Sequence, residues 1–249
     1  KNVIMTNKYM YFVANWKMYG SLNSLNSLDK VNKFLRKFKK NKSIKIIYCP
    51  PTTLLHSMSK KLKRSYIEIG AQNCHENETY GAFTGSINPM MLKNVGAKYV
   101  ILGHSENRQI GEDDKMINLK IKNALKSGLK VIFCIGETLK QKKKKLTKKI
   151  LSKQIKLGLN RIKKTNRIII AYEPVWSIGT GMIPKSDDLF DTIHFIKKKN
   201  QNLKVIYGGS VNTKNITDLK IINNVDGFLI GGASQDSKKF IDIIKKTYN

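Results

Sequence analysis

Eight short runs of β-branched, aliphatic and aromatic residues, each followed by a longer segment of mixed polarity, constrain this chain more than any other feature. They are Tyr11 to Ala14, Ile44 to Tyr48, Ile67 to Ala71, Lys98 to Leu102, Lys130 to Ile135, Ile168 to Tyr172, Leu203 to Tyr207 and Gly227 to Ile230. Their hydrophobic character is nearly continuous rather than alternating, as expected of parallel strands covered on both faces. The segments between them carry helical periodicity. Leu28, Val31, Phe34, Leu35 and Phe38 form one stripe, with Lys and Arg opposite. Met116, Leu119, Ile121, Ala124 and Leu125 form another, closed by Gly128. Ser186 before Asp187 and Asp188 reads as an N-cap with an acidic first turn. Phe240, Ile241, Ile243 and Ile244 mark a last helix. Eight strand–helix units in 249 residues, with no Pro-, Gly- or Ser-rich linker, predict an α/β chain folded as one (β/α)8 barrel domain over residues 1–249. An open doubly wound sheet is the alternative; it prefers fewer strands at this length, and no GxGxxG follows the first run.

Charge narrows the function classes. Lys and Arg number 47 against 17 Asp and Glu, a net +30 that attracts polyanions non-specifically. Yet Arg occurs only at Arg36, Arg64, Arg108, Arg161 and Arg167, and the lysines sit mostly on helix faces without interleaved aromatics. That pattern argues against a dedicated nucleic-acid site. The longest basic stretch, Lys140 to Lys164, is interrupted by Leu146, Ile150, Leu151, Ile155, Leu157 and Leu159 at spacings that give a helix one buried side. It reads as a solvated helix face, with a patch for a partner or an anionic membrane as the alternative. No apolar run reaches the length of a membrane span. Cys49, Cys74 and Cys134 form no CxxC pair and no even-numbered disulfide framework, which favours a reducing compartment. The cytoplasm fits, as does a plastid-type, apicoplast-like organelle if an upstream transit segment was removed.

In a barrel of this kind, chemistry gathers at the C-terminal ends of the strands. Those ends carry Asn15, Trp16 and Lys17; Gly103, His104, Ser105 and Glu106; Glu173 and the Gly-flanked loop after it; Gly208, Gly209 and Ser210; and Gly231 and Gly232. A carboxylate such as Glu173 directly after an Ile-rich strand needs a reason for its burial, either an ion pair or general-base chemistry. His104 beside Gly103 stands where a functional imidazole would. The two glycine groups after the last strands let backbone N–H groups approach a phosphate without Cβ interference. A small phosphorylated metabolite therefore comes ahead of a polymer as substrate.

The motifs run in order along nearly the whole chain. They are Asn15-Trp16-Lys17, Cys49-Pro50-Pro51, Gly70-Ala71-Gln72-Asn73, Gly81-Ala82-Phe83-Thr84-Gly85 and Leu102-Gly103-His104-Ser105-Glu106. They continue with Cys134-Ile135-Gly136-Glu137, Tyr172-Glu173-Pro174-Val175-Trp176, Ile178-Gly179-Thr180-Gly181, Tyr207-Gly208-Gly209-Ser210-Val211-Asn212 and Gly231-Gly232-Ala233-Ser234. Together they resemble the triosephosphate isomerase family. The resemblance implies a TIM barrel that interconverts dihydroxyacetone phosphate and D-glyceraldehyde 3-phosphate through an enediolate, in glycolysis and gluconeogenesis, with no cofactor and no metal.

By the same resemblance, Glu173 is the base, His104 the electrophile, Lys17 an electrostatic stabiliser and Asn15 a hydrogen-bond donor, with Glu106 orienting Lys17 and His104. Phosphate falls to backbone N–H groups of Gly179, Ser210, Gly231 and Gly232. The lid comprises Pro174, Val175, Trp176, Ser177, Ile178, Gly179, Thr180, Gly181, Met182, Ile183 and Pro184. Its Met182-Ile183-Pro184 ending departs from the family. Proline lacks the N–H that engages the counterpart of the Tyr207 hydroxyl in the closed lid, so a weakened or re-routed latch is expected. The resemblance further implies a homodimer built by reciprocal loop insertion. The loop from Asn73 to Ser86 carries Phe83 and Thr84 into a neighbouring subunit, where Met18 and Tyr19 lie in the receiving pocket. Ser86 and Asn107 replace the family's usual Glu and Arg. No specific nucleic-acid or membrane partner is expected.

Overall fold

The computed structural model describes residues 9–38, 43–199 and 203–248. Its strands are β1 (Met10–Asn15), β2 (Ile44–Cys49), β3 (Ile67–Ala71), β4 (Tyr99–Leu102), β5 (Lys130–Ile135), β6 (Ile168–Tyr172), β7 (Lys204–Tyr207) and β8 (Gly227–Ile230). They pair in chain order, every pair parallel, and β8 returns to β1 to close a barrel. The expected runs are met within a residue or so at each end.

Side-chain parity explains why the runs read as continuous. Val13, Ile47, Cys49, Tyr99, Ile101, Ile132, Cys134, Ile169, Ala171, Ile206 and Leu229 make one buried cluster inside the barrel. Their neighbours, such as Phe12, Ile46, Phe133, Ile170 and Phe228, belong to the larger cluster shared with the surrounding helices. Successive residues on a strand point to opposite faces, so both faces must be apolar. Each fully buried Ile or Phe contributes roughly 1.5–3 kcal/mol relative to exposure.

The helices on the outside are α1 (Ser27–Phe38), α2 (Thr52–Lys61), α3 (Pro89–Asn94), α4 (Ser105–Gln109), α5 (Asp114–Lys126), α6 (Leu139–Lys143), α7 (Thr147–Gly158), α8 (Ser186–Lys199), α9 (Ile216–Lys220) and α10 (Ser237–Tyr248). Three details differ from expectation. In α5 the buried stripe is Ile117, Ile121, Ala124 and Leu125, whereas Leu119, two residues on from Ile117 and so on the far side, faces solvent. Ser186 is the first residue of α8 rather than its cap; the Leu189 N–H already bonds the Lys185 carbonyl. The Lys140–Lys164 stretch is not one helix. It breaks between α6 and α7 where Lys145 takes a φ of 56°, and of its apolar residues Leu151 and Ile155 are buried while Leu157 is exposed.

No helix among the described residues is long and apolar enough to cross a membrane. The three cysteines are free and buried.

Candidate active site

The interior parity of the strands continues to their ends and one step past them. Asn15 lies two residues beyond Val13, Glu173 two beyond Ala171, Gly136 two beyond Cys134, and Gly208 two beyond Ile206. Glu173 therefore stands at the barrel mouth, flanked by glycines on both neighbouring strand ends. A Cβ on Gly208 would lie 2.6 Å from Glu173 Cγ, and one on Gly136 would collide with the Glu173 carbonyl. The Glu173 N–H is fixed by the Ile135 carbonyl at 2.8 Å.

Glu173 is 3% exposed, and its Oε2 has no hydrogen-bond partner among the described residues. Burial pushes its pKa above the ordinary carboxylate value. The Lys17 ammonium and the neighbouring Cys134 thiol pull the other way without cancelling the rise. A carboxylate desolvated in this way is a stronger base than one in water.

His104 caps the N-terminus of α4: its Nδ1 accepts the Glu106 N–H at 3.2 Å. An amide can donate only to an unprotonated ring nitrogen, so the proton of the neutral imidazole lies on Nε2. That Nε2 faces Glu173 Oε1 at 3.6 Å, beyond hydrogen-bond length. Arg108 buttresses this corner. Its Nε bonds the Gly103 carbonyl at 2.8 Å and its Nη1 the Asp114 carboxylate at 2.6 Å. Gly103 takes a φ of +72°, which an L side chain would strain.

Lys17 has a φ of 52°, unusual for a non-glycine residue. Three contacts hold it there. Its N–H donates to Asn15 Oδ1 at 3.0 Å, its carbonyl accepts from Gln72 Nε2 at 2.8 Å, and its ammonium bonds Glu106 Oε1 at 2.6 Å. Gln72 Nε2 also reaches the Cys49 carbonyl. The motif reading passed over this role for Gln72, because nothing in an isolated Gln signals a backbone clamp.

Asn15, Lys17, His104, Glu173, Gly179, Ser210, Gly231 and Gly232 all line one cavity of about 450 Å³. Carboxylate and imidazole occupy its floor. The glycine-rich turns after β7 and β8 lie on the same cavity wall as Gly179 of the lid, and a Cβ on Gly231 would stand 3.8 Å from Lys17 Cε. Glu106 does not line it. With its side chain 55% exposed, Glu106 opens onto an adjacent cavity of about 470 Å³ and holds Lys17 from outside. Met18 lines that second cavity with Ser86 and Asn107, whereas Tyr19 lines the first.

The lid begins as a turn at Val175–Ser177 and is moored to Glu137, another residue given no role from sequence. Trp176 Nε1 donates to Glu137 Oε1 at 3.0 Å, and the Tyr172 hydroxyl reaches both carboxylate oxygens at 3.2–3.3 Å. The Lys142 ammonium lies 3.7 Å from the centre of the Trp176 ring. Among the described residues no cluster of three or more His, Cys, Asp or Glu is arranged to hold a metal.

The family model for triosephosphate isomerase matches residues 10–247. The enzyme of that name from Dictyoglomus thermophilum is 41% identical over 244 residues, covering 93% of this chain and 97% of its own. That from Zygosaccharomyces bailii is 39% identical over 245 residues, covering 94% and 97%. The solved triosephosphate isomerase of Bartonella henselae superposes with a TM-score of 0.86 at 34% identity, over 96% of this chain and 98% of that one. Closed barrel, ordered motifs and full-length relatives agree: the chain belongs to the triosephosphate isomerase family.

Proposed function

We propose that this single-domain barrel, spanning residues 1–249, interconverts dihydroxyacetone phosphate and D-glyceraldehyde 3-phosphate. Glu173 takes the proton from the carbon next to the carbonyl and returns it to the neighbouring carbon. His104 donates a hydrogen bond from Nε2–H to the carbonyl oxygen and moves the proton between the two substrate oxygens. The Lys17 ammonium stabilises the enediolate charge, Asn15 hydrogen-bonds the substrate oxygens, and Glu106 positions Lys17. Backbone N–H groups of Gly179, Ser210, Gly231 and Gly232 bind the phosphoryl dianion. The lid, Pro174 to Pro184, closes over it and excludes water, which suppresses loss of phosphate from the enediolate.

The observation that carries this reading is the opposed pair in one cavity. A buried carboxylate with a raised pKa faces an imidazole whose tautomer is set by a backbone amide. Steady-state turnover of glyceraldehyde 3-phosphate by the purified chain tests it. Efficient isomerisation supports the assignment, and a folded protein without turnover defeats it.

The same reading includes a homodimer. Phe83 and Thr84, on the exposed stretch 79–86 of the 73–86 loop, enter the 470 Å³ cavity of a second copy, beside Met18, which is 93% exposed here. Ser86 and Asn107, which line that cavity, are small and neutral. Met18 and Tyr19 lie in the receiving pocket beside the incoming loop. Three buried free thiols fit a reducing compartment, cytoplasmic or plastid-type.

A further inference from the structure

Ser177 is completely buried at the hinge where the lid leaves β6, and its hydroxyl oxygen is shared by three partners. It donates to the Met182 carbonyl near the far end of the lid. The Tyr207 hydroxyl lies 2.9 Å away, and the Ser210 N–H approaches at 3.4 Å. A hydroxyl offers one donor and two acceptor positions, so these contacts use its whole capacity. A carbonyl can only accept, so the serine proton goes to Met182 and Tyr207 must donate to Ser177. Burial keeps the Tyr207 phenol protonated and able to do so.

The packing around this oxygen leaves little slack. A Cβ on Gly209 would lie 2.6 Å from Ser177 Oγ and would clash with the Tyr207 hydroxyl. Thr180 Oγ1 bonds the carbonyls of Trp176 and Ser177 at 3.2 Å and accepts the Met182 N–H at 3.2 Å. The lid is thus folded on itself, with both of its ends referred to Ser177. Pro184, which has no N–H, takes no part.

We propose that the Ser177 hydroxyl is a positioning group that couples phosphoryl occupancy to the state of the lid. The proposal rests on the isomerase reading for the phosphoryl role of Ser210 and extends it to a residue without contact to the reacting carbons. The Ser210 amide is held by Ser177 at the long limit of a hydrogen bond, so an entering dianion takes it readily. Ser177 Oγ then loses one of its two incoming donors, and its bonds to Tyr207 and Met182 readjust. Anion binding at β7 is felt at both ends of the lid through one oxygen.

The test compares the parent with Ser177→Ala, Tyr207→Phe and the double variant. Inorganic phosphate is titrated while Trp176 fluorescence is followed, and substrate loss as methylglyoxal and phosphate is measured per isomerisation. Each single variant raises the eliminated fraction about tenfold, the effect of one lost hydrogen bond, lowers kcat more than it changes KM, and blunts the phosphate-driven fluorescence change. The double variant is no worse than the poorer single one. An eliminated fraction and fluorescence response in Ser177→Ala equal to the parent's overturn the proposal, as does a double variant whose effects multiply. A parent without isomerase turnover defeats the isomerase reading alone, because the fluorescence titration reads the coupling without catalysis.

Discussion

His104 Nε2 and Glu173 Oε1 face each other at 3.6 Å without a hydrogen bond between them. The gap matters because a direct bond would commit both groups to each other. His104 is turned by the Glu106 amide at its Nδ1, and Glu173 is seated between Gly136 and Gly208. Each is oriented from behind, and its reactive atom is left for a substrate.

The raised pKa of Glu173 fixes the sign of a pH effect. The base works ionised, so kcat/KM falls as pH drops through a value above that of an ordinary glutamate. Lys17 is among the groups that pull this pKa down, so Lys17→Ala moves the acid limb further up in addition to lowering the rate. Profiles of kcat/KM between pH 4 and 9 check both statements.

Stability should move against activity at the same residue. A buried carboxyl with a raised pKa favours folding while it is protonated; that contribution is present below its unfolded pKa and lost as pH rises through the folded value. At neutral pH the ionised Glu173 therefore costs stability. Glu173→Gln raises Tm by a few degrees, since 1 kcal/mol corresponds to about 2–4 °C for a domain of this size. The gain shrinks at acid pH. Calorimetry at pH 7 and pH 4 reads the difference.

Gly208→Ala places a methyl 2.6 Å from Glu173 Cγ and 3.0 Å from Oε1. The carboxylate must shift, and misplacement of a reacting group by about 1 Å costs on the order of 10²-fold in rate. The expected result is a large loss of kcat with KM nearly unchanged. A matching drop in Tm by calorimetry would point to general disruption instead.

Assembly should respond to salt. Two subunits at +30 each repel, and the Debye length falls from roughly 30 Å at 0.01 M to about 10 Å at 0.1 M. Sedimentation equilibrium is expected to show a tighter dimer at the higher ionic strength, and a tighter dimer at low salt would contradict it.

Much of this site is legible in the sequence because barrel chemistry follows strand ends. Once the Ile168–Tyr172 run is recognised, Glu173 is placed at a mouth, and period-two parity aims it inward. The glycines after β7 are legible for a similar reason, since a Cβ on Gly208 would crowd Glu173 and one on Gly209 would crowd Ser177 and Tyr207. What stayed hidden depends on contacts between segments distant in the chain. The Gln72 clamp on Lys17 spans 55 residues, and the Glu137 mooring of Trp176 spans 39. The positive φ of Lys17 leaves no trace in a lysine's identity. Leu119 misled the stripe in α5 because hydrophobicity alone does not say which of two apolar faces is covered. The break at Lys145 was masked by apolar spacing that continues across it.

The central claim is that Glu173 moves a carbon-bound proton. The direct measurement is isomerisation in deuterium oxide, with NMR observation of label at C1 of dihydroxyacetone phosphate and C2 of glyceraldehyde 3-phosphate, for the parent and for Glu173→Gln. The account predicts product labelled at the carbon that receives the proton, and loss of both turnover and label incorporation by about 10²–10⁴-fold in the variant. Turnover and labelling in folded Glu173→Gln equal to the parent's would contradict it.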